Sequence, residues 1–168
     1  MASDSLYTLG NLAGSRLKAR GERLVSAESC TGGWVAQVVT SVAGSSEWFE
    51  RGFVTYSNEA KQELIGVRGD TLARYGAVSE ETAREMALGA LAASHGTMSL
   101  AVTGVAGPSG GTPAKPVGMV CFAWADRNGA VRSETRHFTG NREKVRRHSV
   151  MRALQGVIEW LDVGADEV

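Results

Sequence analysis

Leu24-Val25-Ser26-Ala27-Glu28-Ser29-Cys30-Thr31-Gly32-Gly33-Trp34-Val35-Ala36-Gln37-Val38-Val39 decides the fold. A short apolar run enters a cluster of small and polar residues, and a run with helical apolar spacing leaves it. That pattern is strand, tight turn, helix. The small residues let the backbone approach a ligand closely. A helix expected from Thr31 to about Val42 would aim free N–H groups and its positive end back at the turn. The Ser29 hydroxyl would then lie beside an environment that stabilises an oxyanion. The same residues also suit an ordinary helix start, because Ser and Thr are preferred caps. On this stretch alone both readings of Ser29 stand.

Outward from it, the chain alternates helical and strand-like segments. Upstream, Leu6, Leu9, Leu12, Ala13 and Leu17 share one helical face, with Gly21 as the stop. Downstream, Ala43 to Ser46 breaks the second helix, and Glu47 to Glu50 is expected as one more short turn. Gly52 to Tyr56 is strand-like. Ser57 or Asn58 caps a helix carrying Ala60, Lys61, Leu64 and Ile65. Thr71 to Tyr75 forms a short helix closed by Gly76. Ser79 caps a helix whose apolar face is Ala83, Met86, Ala87, Ala90 and Leu91, ending near His95-Gly96. Met98 to Thr103 is an apolar strand feeding the glycine-rich stretch Gly104 to Pro116. Val117 to Ala125 and Ala130 to Phe138 pair across Asn128-Gly129, a hairpin signal. A last helix runs from about Arg142 to Leu161, and Asp162 to Val168 reads as frayed.

This order predicts an α/β fold: a three-layer α/β/α sandwich around a mixed, mostly parallel sheet with one antiparallel strand. A single domain, residues 1–168 with its core at about 6–161, fits the length. Ligand sites in such sheets lie at the carboxyl ends of strands. The loops after Glu28, Tyr56 and Thr103 all occupy that edge, so they are expected to meet in one cleft.

Composition narrows the partners. Lys and Arg total 18 against 18 Asp and Glu, so bulk charge points to no nucleic acid. No apolar run approaches the roughly 20 residues that span a bilayer, and no secretory signal pattern opens the chain, so neither membrane nor export is expected. Cys30 and Cys121 lack metal-ligand spacing and are expected as reduced thiols of a cytoplasmic protein. The four tryptophans are widely spread and read as core or interface anchors, which leaves a homodimer open.

A serine nucleophile needs a base. His95, His137 and His148 all fall away from the catalytic edge. Lys61 falls in the first turn of the helix after the Gly52–Tyr56 strand, so it can share that edge with Ser29. Burial and the positive helix end both disfavour an ammonium there, and Ser-Lys pairs are an established variant of triad logic. The ordinary alternative is a solvated helix lysine. Tyr56 could relay a proton or orient the amine, or could simply sit at the core edge. Cys30 is a rival nucleophile or a small buried residue. The 104–111 loop lacks the Walker and dinucleotide spacings, yet its backbone amides suit anions or carbonyls. Arg142 opens the last helix against the dipole, which suggests an external anion. Arg146 and Arg147 read as a solvated face.

Five motifs in order resemble one family: Ala27 to Gly33, Gly52 to Lys61, Gly76 to Ser79, Gly104 to Pro108, and Lys115 to Gly118. The chain is similar to nicotinamide mononucleotide deamidases of the CinA C-terminal type over about residues 6–161. The resemblance implies a five-stranded mixed sheet. It also implies hydrolysis of nicotinamide mononucleotide to nicotinic acid mononucleotide and ammonia in pyridine nucleotide salvage. It carries a catalytic pair onto Ser29 and Lys61, with Tyr56 assisting, and places Thr103 and Arg142 at the substrate. The chain resembles the stand-alone form, without the additional N-terminal domain of longer members.

The expected site therefore combines Ser29, Lys61 and Tyr56 with Cys30, Thr31, Gly32, Gly33, Asn58, Thr103, Gly104, Gly107 and Arg142 around a small nucleotide. Amides from Cys30 to Gly33 are expected to hold the oxyanion. No metal or other cofactor is expected, because no cluster has ligand spacing. The alternative function is a non-catalytic nucleotide-binding or regulatory module with the same pocket.

Overall fold

A computed structural model provides the three-dimensional structure and describes residues 2–166. In chain order the elements are α1 (Ala2–Ala19), β1 (Leu24–Glu28), α2 (Trp34–Thr40), β2 (Phe49–Val54), α3 (Asn58–Ile65), α4 (Gly69–Tyr75), α5 (Glu80–Ala92), β3 (Met98–Gly104), β4 (Met119–Asp126), β5 (Val131–His137) and α6 (Arg142–Asp166). The five strands form one sheet in the order β2-β1-β3-β4-β5. β1 runs parallel to both β2 and β3, whereas β4 runs antiparallel to both β3 and β5. Four strands thus share one direction and β4 opposes them, as the Asn128-Gly129 hairpin requires.

Alternate strand residues face two cores. On one side Leu24, Leu100, Val102, Phe122 and Trp124 pack against α1, α2 and α6. On the other Val25, Ala27, Ala101, Cys121 and Ala123 meet α3, α4 and α5. These layers confirm the expected sandwich. The centre of the sheet is apolar throughout because helices cover both faces.

Several boundaries differ from the periodicity. Leu12 is 37% exposed, while Leu6, Ala13 and Leu17 carry the buried stripe of α1. β2 starts at Phe49 because Phe49 and Arg51 pair with Leu24 and Val25, and the short 3-10 turn is confined to Ser45–Glu47. α6 continues to Asp166; Glu167 and Val168 lie outside the described residues. The largest difference concerns α2, which begins at Trp34 and not Thr31. Gly32 and Gly33 have φ of 59° and 102°, left-handed values that interrupt the helix before it starts.

Among the described residues no helix is long and apolar enough to cross a membrane.

Candidate active site

Ladder hydrogen bonds continue past the end of β1 and set the site. The Ser29 amide donates to the Val102 carbonyl at 3.0 Å, and the Thr55 amide donates to the Glu28 carbonyl at 2.7 Å. Ser29 and Thr55 are thereby fixed side by side at the carboxyl edge of the sheet. Ser57 then caps α3, its Oγ accepting from the Ala60 amide at 3.0 Å. The cap turns the chain so that Lys61, in the first turn of α3, points back under the edge.

Lys61 is 1% exposed and Ser29 8%. Lys61 Nζ lies 3.0 Å from Ser29 Oγ, 2.8 Å from the Thr55 carbonyl and 3.2 Å from the Tyr56 carbonyl. Desolvation holds the amine below the ordinary lysine value. A neutral amine matches this cage well. Its two N–H bonds can serve the two carbonyls, and its lone pair then faces the serine hydroxyl.

Tyr56 enters this arrangement by its backbone. Its side chain is 62% exposed, and its hydroxyl meets Arg142 Nη2 at 3.2 Å. The expected relay through that hydroxyl therefore has no hydrogen bond to either Ser29 or Lys61 behind it. Arg142 also donates from Nη1 to the Gly107 carbonyl at 2.8 Å, which ties the glycine-rich loop to the β2–α3 corner.

Glu28 carries no role in the sequence reading, yet it organises the turn that follows β1. Its carboxylate is 1% exposed and accepts from Thr31 Oγ1 at 2.6 Å, the Val35 amide at 2.9 Å and the Ala36 amide at 3.1 Å. The free amides and positive end of α2 are occupied by the protein's own anion. This corrects the expected oxyanion site in part. The Gly32 amide is also engaged, donating to the Ser29 carbonyl at 3.0 Å. Among the described residues the Cys30 and Thr31 amides have no backbone acceptor.

A cleft of about 350 Å³ opens above the pair. Of the expected residues, Ser29, Cys30, Tyr56, Lys61, Thr103, Gly104, Gly107 and Arg142 line it. Thr31, Gly32, Gly33 and Asn58 do not. Thr31 is buried against Glu28, and Asn58 is exposed on the first turn of α3. Ala77, Val78 and further residues of the glycine-rich loop, Ser109 among them, add to the wall, and the Thr103 hydroxyl donates to the Ala77 carbonyl at 2.9 Å. The motif Gly76 to Ser79 was the available signal for that wall. The lining carries the Arg142 guanidinium and no carboxylate, so it favours an anionic guest.

Burial pushes the Cys30 thiol up to about 12, which keeps it protonated and poorly nucleophilic. None of the three histidines lines the cleft. No group of three His, Cys, Asp or Glu residues among the described ones is arranged to hold a metal ion.

Comparison with known proteins agrees with this architecture. The family model for the CinA C-terminal domain matches residues 6–161. Nicotinamide-nucleotide amidohydrolase PncC of Escherichia coli strain K12 is 53% identical over 155 residues, 92% of this chain and 94% of that protein. The protein of the same name from Pseudomonas putida is 48% identical over 156 residues, 93% of this chain and 97% of that protein. Among solved structures, competence/damage inducible protein CihA from Agrobacterium tumefaciens superposes with a TM-score of 0.90 at 42% identity, over 94% of this chain and 96% of that one. With the match spanning both core layers and every cleft-lining element, the chain belongs to the CinA C-terminal domain family.

Proposed function

We propose that the cleft hydrolyses the carboxamide of nicotinamide mononucleotide, releasing ammonia and nicotinic acid mononucleotide, by an acyl-enzyme mechanism on Ser29. The observation that carries this reading is the buried Lys61 amine 3.0 Å from Ser29 Oγ, held by two carbonyls and depressed in basicity. The names of the relatives supply the substrate.

Neutral Lys61 takes the Ser29 proton as Oγ attacks the carboxamide carbon. The carbonyl π electrons move to oxygen, and the Cys30 amide, at the cleft wall, receives that oxyanion. One such donor is worth roughly 3 kcal/mol in the transition state. On collapse, the lysine ammonium gives its proton to the departing nitrogen, and ammonia leaves. Water then attacks the acyl-enzyme with Lys61 again as base, and the proton returns to Ser29 Oγ as the acid is released. The substrate phosphate lies toward Arg142 and the amides of the 104–111 loop, on the cationic side of the cleft. This reaction places the chain in pyridine nucleotide salvage.

Ammonia release from nicotinamide mononucleotide tests the reading. The parent turns over, and Ser29→Ala and Lys61→Met each lose at least about 10³-fold with folding intact. Binding of the nucleotide without release in the parent would overturn it in favour of a binding module.

A further inference from the structure

The nucleophile turn is gripped from outside by an arginine that takes no part in the chemistry above. Arg146 lies in the second turn of α6, 116 residues from Cys30. Its Nε donates to the Cys30 carbonyl at 3.0 Å, and its Nη2 donates to the Thr31 carbonyl at 3.1 Å. The guanidinium also lies 5.4 Å from the centroid of the Trp34 ring, at the start of α2. That stack restrains the plane of the fork.

We infer that Arg146 is a positioning residue for the oxyanion donor, the Cys30 amide. In a trans peptide the C=O and the following N–H point in opposite directions. Holding the Cys30 carbonyl therefore fixes the peptide plane that follows Cys30. The Cys30 N–H is fixed in the same way by the preceding carbonyl: the Ser29 carbonyl is bound by the Gly32 amide at 3.0 Å. The Thr31 carbonyl is held twice, by Arg146 and by the Trp34 amide at 3.0 Å. Every carbonyl from Ser29 to Thr31 thus has a donor, and the Cys30 amide is held between two fixed peptide planes.

The need for such a clamp follows from the backbone. The left-handed Gly32 and Gly33 end any helical continuity between the turn and α2. Glu28 holds the turn through Thr31 Oγ1, a side-chain contact that leaves the peptide planes free to rotate. The fork reaches the two carbonyls from two different nitrogens held in one rigid plane, a fixed orientation that a freely rotating ammonium does not impose.

This inference rests on the Ser29 amidase reading, and the experiment separates the two. Steady-state ammonia release is measured for the parent, Ser29→Ala, Arg146→Lys and Arg146→Met. Circular dichroism checks each fold. Arg146→Lys keeps the charge and loses the fork. The expected result is a fall in kcat of about 10-fold or more in both Arg146 variants, with KM within about twofold of the parent. The rate of Ser29 labelling by a fluorophosphonate falls in parallel, because that reaction also needs the oxyanion donor. In a third variant, Arg146→Ala, which leaves room for a small cation, added guanidinium partly restores kcat. An unchanged kcat in Arg146→Lys, or a rise in KM alone, overturns the positioning role while leaving the amidase reading intact. Turnover surviving in Ser29→Ala, or absent from the parent, overturns both.

Discussion

Lys61 Nζ sits 3.0 Å from Ser29 Oγ although the two residues are 32 apart in sequence, and main-chain carbonyls hold it there. No carboxylate or second amine takes part in that cage. The Lys61 amine therefore depends on burial for its lowered basicity and on strand ends for its aim. Both properties give measurable consequences.

Activity rises with pH along a single limb as Lys61 loses its proton. The midpoint lies below 10.5, because desolvation lowers the folded-state value from there. Stability responds in the same window. Between the depressed value and 10.5 the unfolded chain holds more protons at Lys61 than the folded one, so folding stability rises with pH there. Relative to Lys61→Met, the parent gains stability as pH is raised from neutral toward 10.5. Urea titrations of both proteins across that range measure the difference. A difference that is flat or falls with pH would show that burial does not disfavour the Lys61 ammonium.

Arg142 and Tyr56 separate binding from chemistry. Arg142→Ala removes a cation from the cleft and unties the glycine-rich loop, so KM for the nucleotide rises about 10- to 100-fold. Tyr56→Phe removes one contact to Arg142, so it changes KM a few-fold and leaves kcat within about threefold. A proton relay through the tyrosine hydroxyl would instead cost about 10²- to 10⁴-fold in kcat. Paired kinetics on the two variants decide between these outcomes.

Cys30 resists alkylation. With its thiol pushed up to about 12, on the order of one molecule in ten thousand is ionised at pH 8. Iodoacetamide at that pH leaves ammonia release unchanged over an hour. Rapid, stoichiometric inactivation that substrate prevents would restore Cys30 as the nucleophile.

Gly156 is a packing requirement of the sheet's far side. A Cβ there would overlap the Trp124 indole, which is fully buried and donates its N–H to the Ala153 carbonyl at 3.0 Å. Gly156→Ala destabilises by about 1–3 kcal/mol, because neither α6 nor the indole can retreat freely. Thermal unfolding reports it as a drop of about 2–4 °C per kcal/mol. Activity per folded molecule stays at the parent level, since Trp124 is remote from the cleft lining.

Local chemistry in the sequence determined a good deal. Alternating apolar periods, Gly stops and Ser caps were sufficient to order the strands and helices, and Asn128-Gly129 set the one reversed strand. The rule that sites gather at strand carboxyl ends brought Ser29, Lys61, Thr103 and the glycine-rich loop to one edge. Those signals are short-range, so they survive without coordinates. What the tertiary structure alone decided is long-range or conformational. The φ values of Gly32 and Gly33 moved the start of α2 to Trp34, and periodicity cannot register a left-handed residue. Glu28 reads as the end of a strand, but burial beneath α2 makes it the partner of that helix. Arg146 reads as a solvated helix face, and only the packing of α6 across the sheet brings its fork to Cys30 and Thr31. A sequence fixes which groups exist and their local turns; which buried charge meets which backbone dipole is settled when the layers close and water leaves.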